Sequence, residues 1–284
     1  MSSFLYAEIN IIGVILLLLM LNNMNDKHPS EIPLDQRLFN GIMVMNLLIF
    51  IFDAGMWIAD GAVFPSARMV NYIATTGYYI LNPMICLLWL LYTDFKVYES
   101  RTELKKRSRF YIIPIFISTI ISLLSPFTGW YFKINEKNYY TRGPLFLVIV
   151  FITFSYIAFA LVIAVNDIRR HGWGENKNVN IHLVVFSAGM MIVAAIQILF
   201  FGLSIIWVCA MLACTSIYIN IQKGEIFRDY LTGLYNRRRL DQYLQRRIKI
   251  WQKNKILFAI ILDMDGFKKI NDVYGHLTGD LALV

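Results

Sequence analysis

The chain has 284 residues, of which 57% are hydrophobic and only 16% are charged, and its mean hydropathy is +0.54. Soluble domains carry nearer a quarter charged residues, so these values exclude an ordinary soluble protein and predict a membrane protein. The formal net charge of +8 does not indicate nucleic-acid binding, because the basic residues cluster in short loops and near the C-terminus. The three cysteines lie inside apolar segments without metal-ligand spacing, so no disulfide framework is predicted.

Seven apolar segments, each near the length that crosses about 30 Å of hydrocarbon, predict an α-helical membrane bundle over residues 1–221. The first segment lacks a basic leader and a small-residue cleavage site, so we interpret it as a retained helix rather than a signal peptide. Asn82-Pro83 interrupts the third. The predicted spans are Phe4–Met20, Leu38–Ala59, Met69–Tyr92, Phe110–Pro126, Pro144–Val165, Ile181–Phe201 and Leu203–Ile221.

The orientation follows from the distribution of Lys and Arg between the loops. If the N-terminus is outside, the loops on the inner side hold most of these residues, and the loop between the third and fourth spans is the richest. That loop contains Lys96, Arg101, Lys105, Lys106, Arg107 and Arg109. We therefore predict a multi-pass protein of the cell membrane with its C-terminus in the cytoplasm.

Two features of the membrane region are candidates for sensing. An acid at membrane depth, such as Asp53 in the second span, is costly and indicates either a ligand contact or a partner on a neighbouring helix. The aromatic-rich outer loop Phe127–Gly143 indicates either a sensing surface or an interfacial aromatic belt. Asp53 and Asn82-Pro83 alone would also be compatible with a transporter.

The segment Lys255–Asp280, KILFAIILDMDGFKKINDVYGHLTGD, carries the chemistry. Its apolar run Ile256–Leu262 predicts a buried strand that ends at two acids, Asp263 and Asp265. The helix that follows places Lys268 and Asn271 on one face. Acids at a strand end offer oxygen ligands to Mg²⁺, although in many α/β proteins such acids only cap the next helix or pair with lysines.

The run DMDGFKKINDVYGHLTGD, together with the upstream DYLTGLYNRRRL at Asp229–Leu240, resembles the GGDEF domain of diguanylate cyclases. This resemblance covers residues 229–284 and implies the first part of an α/β palm of the ferredoxin-like kind. A short linker, residues 222–228, would join it to the seven-helix sensor region. In this family two GTP molecules, held by two facing domains, are joined into cyclic di-GMP, which implies a homodimer.

The resemblance also implies roles for individual residues. Asp263 and the backbone carbonyl of Met264 would hold Mg²⁺, and Lys268 would stabilise phosphate charge in the transition state. Asn271 and Asp280 would recognise guanine. His276 falls at a substrate-site position, with a structural role as its alternative.

The family's signature loop, Gly-Gly-Asp/Glu-Glu-Phe, is expected some tens of residues beyond Asp280, whereas this sequence ends at Val284. We therefore expect this chain to be inactive alone, even if its parent is a membrane-bound diguanylate cyclase controlled by the sensor region. The alternative is a membrane receptor with a degenerate domain that binds GTP or cyclic di-GMP without turnover.

Overall fold

The computed structural model describes residues 2–24, 32–171, 177–199, 205–226, 229, 231–249, 258 and 260–284. The chain forms two compact units, Met1–Ile217 and Tyr218–Val284. Helices dominate both units, and a two-stranded hairpin belongs to the first.

Seven helices occupy the segments that were predicted to cross the membrane. They are α1 (Ser2–Met24), α2 (Leu34–Ala59), α3 (Ala67–Tyr98), α4 (Arg101–Thr128), α5 (Phe146–His171), α6 (Lys177–Leu199) and α7 (Ile206–Ile226). Among the described residues, five helical segments are long and apolar enough to cross a membrane, namely Leu34–Ala59, Ala67–Tyr98, Arg101–Thr128, Phe146–Arg170 and Ile181–Leu199. The apolar stretches of α1 and α7 are shorter. The predicted ends Phe201 and Leu203 lie outside the described residues, and a seven-span arrangement stays a prediction.

Helix α3 lies at the centre of the first unit, because it packs against α2, α4 and α5. Two buried polar groups in the bundle bond to other helices, as favoured where lipid offers no hydrogen-bond partner. Trp89 on α3 donates its indole N–H to Ser187 Oγ on α6 at 2.9 Å. Asn10 on α1 donates to Asp53 Oδ2 on α2, also at 2.9 Å. These bonds fix which helices are neighbours.

The predicted interruption at Asn82-Pro83 is wrong, because α3 continues unbroken from Ala67 to Tyr98 with Pro83 inside it. Proline removes one backbone N–H from the helix ladder, and membrane helices accommodate that loss through packing by their neighbours. Pro83 is buried, which is consistent with such packing. Helix α4 likewise contains Pro114 and Pro126.

The basic segment predicted as a loop between the third and fourth spans is mostly helical. Helix α3 ends at Tyr98, Glu99 adopts a left-handed conformation (φ 49°), and Ser100 is the N-cap of α4, which begins at Arg101. Ser100 Oγ accepts the backbone N–H of Glu103 at 3.4 Å, in the Ser-x-x-Glu pattern typical of a helix N-terminus. Only two residues therefore link α3 to α4.

A buried ion pair joins the same two helices next to this link. Arg107 on α4 donates from Nε and Nη2 to the two oxygens of Asp94 on α3, at 2.8 and 2.6 Å. The Tyr111 hydroxyl donates to Asp94 Oδ2 at 3.1 Å, and the Arg107 guanidinium lies over the Tyr98 ring at 4.7 Å. Asp94 is fully buried, whereas the Arg107 side chain keeps 32% of its exposure. Two parallel bonds make this pair geometrically specific.

The loop predicted at Phe127–Gly143 forms an antiparallel hairpin, β1 (Phe132–Ile134) and β2 (Tyr140–Arg142). Phe132 pairs with Arg142, and Ile134 pairs with Tyr140. Two of its aromatic residues, Tyr131 and Phe132, are fully buried and pack on Tyr79 of α3, whereas Phe127, Trp130 and Tyr139 are exposed. The hairpin therefore belongs to the core of the first unit.

Asn138 anchors the hairpin to the loop between α2 and α3. Its side-chain amide donates to the carbonyls of Ala59 and Ala62 at 2.7 and 3.2 Å. Its Oδ1 and its backbone carbonyl each accept from Asn71 Nδ2 at 3.1 Å. The backbone carbonyl of Asn138 also accepts the Gly61 N–H at 2.9 Å. Asn138 itself is left-handed, with φ 62°, a conformation that asparagine tolerates better than most residues.

In the second unit the helices are α8 (Arg237–Lys249), α9 (Phe267–Tyr274) and α10 (His276–Leu283). The predicted buried strand Ile256–Leu262 is wrong for its described C-terminal part. Residues 260–262 are in no strand, and their side chains are 83–94% exposed. A single apolar run has no ladder to join, because the described residues of this unit contain no strand beside it. The palm fold stays a prediction.

Candidate functional site

In the second unit, a compact turn built on Asp229 follows the end of α7. Asp229 Oδ1 accepts from the N–H of Leu231 at 3.2 Å, and from both the N–H and the hydroxyl of Thr232 at 3.0 Å. The chain returns at Gly233, whose φ of +68° favours glycine, and the Asp229 N–H donates to the Leu234 carbonyl at 2.8 Å. The bonds from the N–H and then the hydroxyl of Thr232 hold the pKa of Asp229 below its ordinary value. The acid of DYLTGLYN is thus a turn-forming residue.

The two candidate metal ligands lie just before α9. Asp263 is exposed, and the Met264 carbonyl accepts one long bond, from the Phe267 N–H at 3.4 Å. A carbonyl has two lone pairs, so that of Met264 keeps acceptor capacity. Gly266 follows with φ 72° and ψ 14°, a left-handed conformation that turns the chain into α9. Two hard oxygen donors are therefore offered at consecutive residues, which suits Mg²⁺.

The structure brings Asn271 beside the residue that precedes Asp280. Helices α9 and α10 are separated only by Gly275, whose φ of +83° allows the abrupt change of direction. A Cβ added at the buried Gly279 would lie 1.8 Å from Asn271 Oδ1, so this side chain lies directly on the glycine. Asn271 therefore contacts the residue that immediately precedes Asp280, the other residue predicted to recognise guanine.

The remaining predicted residues lie on the outer surfaces of the same helices. Lys268 is exposed one turn before Asn271, and His276 is exposed at the first position of α10. Within residues 260–284, no hydrogen bond or ion pair joins Asp263, Lys268 or His276 to one another. In the described part of the chain, no three His, Cys, Asp or Glu side chains converge as a metal-binding group. The structure thus places Asn271 against Gly279, next to Asp280 in the sequence, and shows no bond among the other three predicted residues in this described stretch.

Sequence reasoning missed Gly279. Its contribution is the absence of a side chain, which makes room for Asn271 between α9 and α10. The sequence signal was its position immediately before Asp280 in LTGD.

Comparison with known proteins assigns this segment. Residues 226–284 match the family model described as "Diguanylate cyclase, GGDEF domain". We refer to residues 226–284, about a fifth of the chain, as the GGDEF segment. The GGDEF segment contains every site residue predicted above, whereas the preceding helices lie outside the match.

Curated relatives are similar over the same part of the chain. The probable diguanylate cyclase DgcJ of Escherichia coli is 43% identical over 68 residues, which are 24% of this chain and 14% of that protein. An uncharacterized membrane protein of Staphylococcus saprophyticus is 38% identical over 66 residues, covering 23% and 18% of the two chains. The uncharacterized protein YtrP of Bacillus subtilis is 48% identical over 56 residues, covering 20% and 9%.

The matched region thus spans less than a fifth of each of these relatives. No solved structure shows a significant match to the chain.

Proposed function

We propose that this chain is part of a membrane-bound diguanylate cyclase that makes cyclic di-GMP from two GTP molecules. The observation that carries the proposal is the GGDEF match of residues 226–284, which includes Asp263, Lys268, Asn271 and Asp280 in the family's order. The five membrane-capable helices supply the anchor. The proposed parts are a seven-helix sensor region (1–221), a short linker (222–228) and a GGDEF part (229–284), with the N-terminus outside and the C-terminus cytoplasmic.

The residues present fit a Mg²⁺-dependent transfer of a nucleotidyl group. Asp263 and the Met264 carbonyl provide hard oxygen donors, and the remaining ligands would come from water and phosphate. Mg²⁺ held there would neutralise phosphate charge while the 3′-hydroxyl of one GTP attacks the α-phosphate of the other, which breaks the α–β phosphoanhydride bond and releases pyrophosphate. Lys268, exposed on α9, adds a positive charge that stabilises the same phosphate.

Guanine recognition is proposed for the surface that α9 and α10 share. The Asp280 carboxylate accepts the N1–H and amino group of guanine, and the Asn271 amide, held at Gly279, supplies a donor and an acceptor beside it. His276 begins α10 and is proposed to face the substrate. Each domain holds one GTP in this scheme, so we propose a homodimer whose cytoplasmic domains face each other.

Residues 1–284 contain no Gly-Gly-Asp/Glu-Glu-Phe loop. Since that loop carries the second acidic metal ligand of the family, we propose that a polypeptide of these residues alone has no cyclase activity. The proposed activity belongs to a protein in which the loop follows the GGDEF segment.

The test uses the complete gene product, reconstituted in lipid nanodiscs with GTP and Mg²⁺. Cyclic di-GMP measured by mass spectrometry is expected, and Asp263→Asn should abolish it because a neutral amide binds Mg²⁺ far more weakly. The matched control is Asp265→Asn, which removes a neighbouring acid that is not a proposed ligand. Absence of product from an unaltered complete protein would refute the cyclase proposal, and GTP binding retained in that case would favour a non-catalytic receptor.

The topology has its own test. Single cysteines at Glu136 and at Asp265, in a variant without the three native cysteines, are labelled by an impermeant maleimide in intact cells. We expect labelling at Glu136 and protection at Asp265. The reverse pattern would refute the proposed orientation and, with it, access of the site to cytoplasmic GTP.

A further inference from the structure

The first unit contains a cavity of about 230 Å³ between its helices and the hairpin. Residues of α2, α3, α5, α6, α7 and β2 line it. Pockets that hold drug-sized ligands measure roughly 300–1,000 Å³, so this cavity suits a smaller molecule. Helices that are far apart in the sequence thus converge on one small space.

Aromatic rings make up much of the wall, and five of them come from four different helices. They are Trp57 on α2, Tyr78 and Tyr79 on α3, Phe154 on α5 and Trp207 on α7. The Trp207 indole N–H donates to the Tyr78 hydroxyl at 3.3 Å, and the two rings meet edge to face at 5.9 Å. An aromatic wall binds apolar groups, and its ring faces also attract cations.

A carboxylate lies on the inner part of this wall. Asp53 lines the cavity and is only 4% exposed. Its Oδ2 accepts a hydrogen bond from the neutral Asn10 amide at 2.9 Å. A second acid, Asp60, lies towards the hairpin, where its Oδ1 accepts the Tyr140 N–H at 2.7 Å. The lining therefore contains one buried acid, Asp53, and a second acid beside the hairpin, Asp60.

The positively charged residue of the lining, Arg142, is exposed, whereas Asp53 is buried. Among the described lining residues, Arg142 carries the positive charge, and it is exposed on β2 with its guanidinium over the Phe146 ring at 4.4 Å. The buried acid and the exposed base therefore give the cavity an electrostatic direction. A molecule with a positive end is favoured to enter with that end inward.

One further acceptor faces the same space. Gln197 on α6 lines the cavity, and its Oε1 is buried without a hydrogen-bond partner among the described residues. An unsatisfied buried oxygen is unfavourable, and a ligand with N–H donors relieves it. This acceptor favours a protonated amine over a quaternary ammonium ion, because the latter has no N–H to donate.

We infer that this cavity binds a small protonated amine with an aromatic or branched apolar body, whose ammonium group pairs with Asp53. The apolar body packs on the rings of Trp57, Tyr78 and Trp207, and an N–H donor satisfies Gln197. Binding at this site is independent of any cyclase activity. Its use as the signal that controls the cytoplasmic domain rests on the proposed function.

The experiment measures binding of three matched probes to the full chain in nanodiscs. The probes are phenethylamine, 2-phenylethanol and 3-phenylpropionate, which share a phenyl body and differ in charge. Quenching of tryptophan fluorescence reports binding, since Trp57 and Trp207 line the cavity, and empty nanodiscs measure partition into lipid. We expect saturable binding of phenethylamine, tighter by about 10- to 100-fold than of the neutral alcohol, as for a charge-assisted hydrogen bond.

Two variants and one control separate the site from general effects on folding. Asp53→Asn keeps an acceptor for Asn10 and should bring phenethylamine to the affinity of the alcohol. Ala194→Phe, which fills the cavity from α6, should weaken both probes while leaving the acid in place. The control Glu136→Gln removes an exposed acid at the hairpin tip and should change neither.

Several results would overturn the inference. These are equal or tighter binding of the anion, no saturable binding of phenethylamine, or unchanged binding in both Asp53→Asn and Ala194→Phe. Because the measurement involves no GTP, failure here is distinguishable from failure of the cyclase proposal.

Discussion

Substitution of Asn138 tests the strongest local prediction of the structure, namely that one side chain fixes the hairpin to the helices. Asn138→Ala removes the bonds to the carbonyls of Ala59 and Ala62 and the bond from Asn71 to Oδ1. The hydrogen bond from Asn71 Nδ2 to the backbone carbonyl of residue 138 remains, so only part of the anchor is lost. The hairpin strands themselves are unchanged.

The magnitude follows from these contacts. The two buried bonds, from Asn138 to the Ala59 carbonyl and from Asn71 to Asn138 Oδ1, contribute about 1 kcal/mol each. The partly buried bond to Ala62 at 3.2 Å adds less. Alanine at φ 62° adds roughly 1 kcal/mol of backbone strain. Opening of the hairpin should therefore become easier by about 3 kcal/mol, on the order of 100-fold in the opening equilibrium. Asn138→Gly lacks the strain and should lose about 2 kcal/mol.

Hydrogen–deuterium exchange on the chain in nanodiscs measures this opening directly. The reporter is the Tyr140 amide, which donates to Asp60 Oδ1 at 2.7 Å across the junction. Asn135→Ala is the matched control, because Asn135 lies in the same hairpin but is exposed and bonds only locally, accepting the Tyr139 N–H. A change of less than about fivefold in Asn138→Ala, or an equal change in the control, would refute the anchoring argument.

Three further predictions follow from other contacts. Arg107→Met should destabilise the folded chain by about 3–5 kcal/mol, because it leaves the fully buried Asp94 carboxylate without its cationic partner. Asp94→Asn should cost less, because the Arg107 guanidinium that it leaves is partly exposed. Thermal unfolding of both variants measures this order. Gly279→Ala should weaken GTP binding in the complete protein by about tenfold or more, since the new methyl displaces Asn271, and equilibrium dialysis that shows unchanged affinity would contradict the proposed guanine site. The pKa of Asp229 is lowered in the folded chain, so its carboxylate stabilises the turn above the unfolded pKa of about 3.9. This stabilisation is lost as the pH falls through the folded pKa. An NMR titration of labelled Asp229 in the full chain measures that pKa, and a value at or above the unfolded one would contradict the prediction.

The positions of the helices were predictable because hydropathy dominates at membrane depth. Apolar length alone located all seven segments, since backbone groups in lipid leave few alternatives to a helix. Hydropathy does not set where a helix stops, so α3 and α4 extend well beyond their predicted bounds into basic sequence. The Ser100–Glu103 pattern was the available signal for the start of α4.

Tertiary partners were less predictable. An aromatic-rich loop such as Phe127–Gly143 looks the same in sequence whether its rings face lipid, ligand or protein. Burial of Tyr131 and Phe132 depends on Tyr79, some fifty residues away in the sequence. The site motif was recognisable because its glycines and acids fall at fixed spacing. The C-terminal part of the predicted strand, residues 260–262, was overpredicted because an apolar run carries no information about whether a neighbouring strand exists.

The hairpin joins a fixed base to a solvent-facing tip. Asn135, Glu136 and Lys137 are exposed, whereas the residues on either side, Ile134 and Asn138, are buried. Exposed loop tips of this kind accept inserted sequence with little cost to the fold. An affinity tag or a fluorophore placed at Glu136 would therefore give a handle for purification and single-molecule work while leaving the bundle intact.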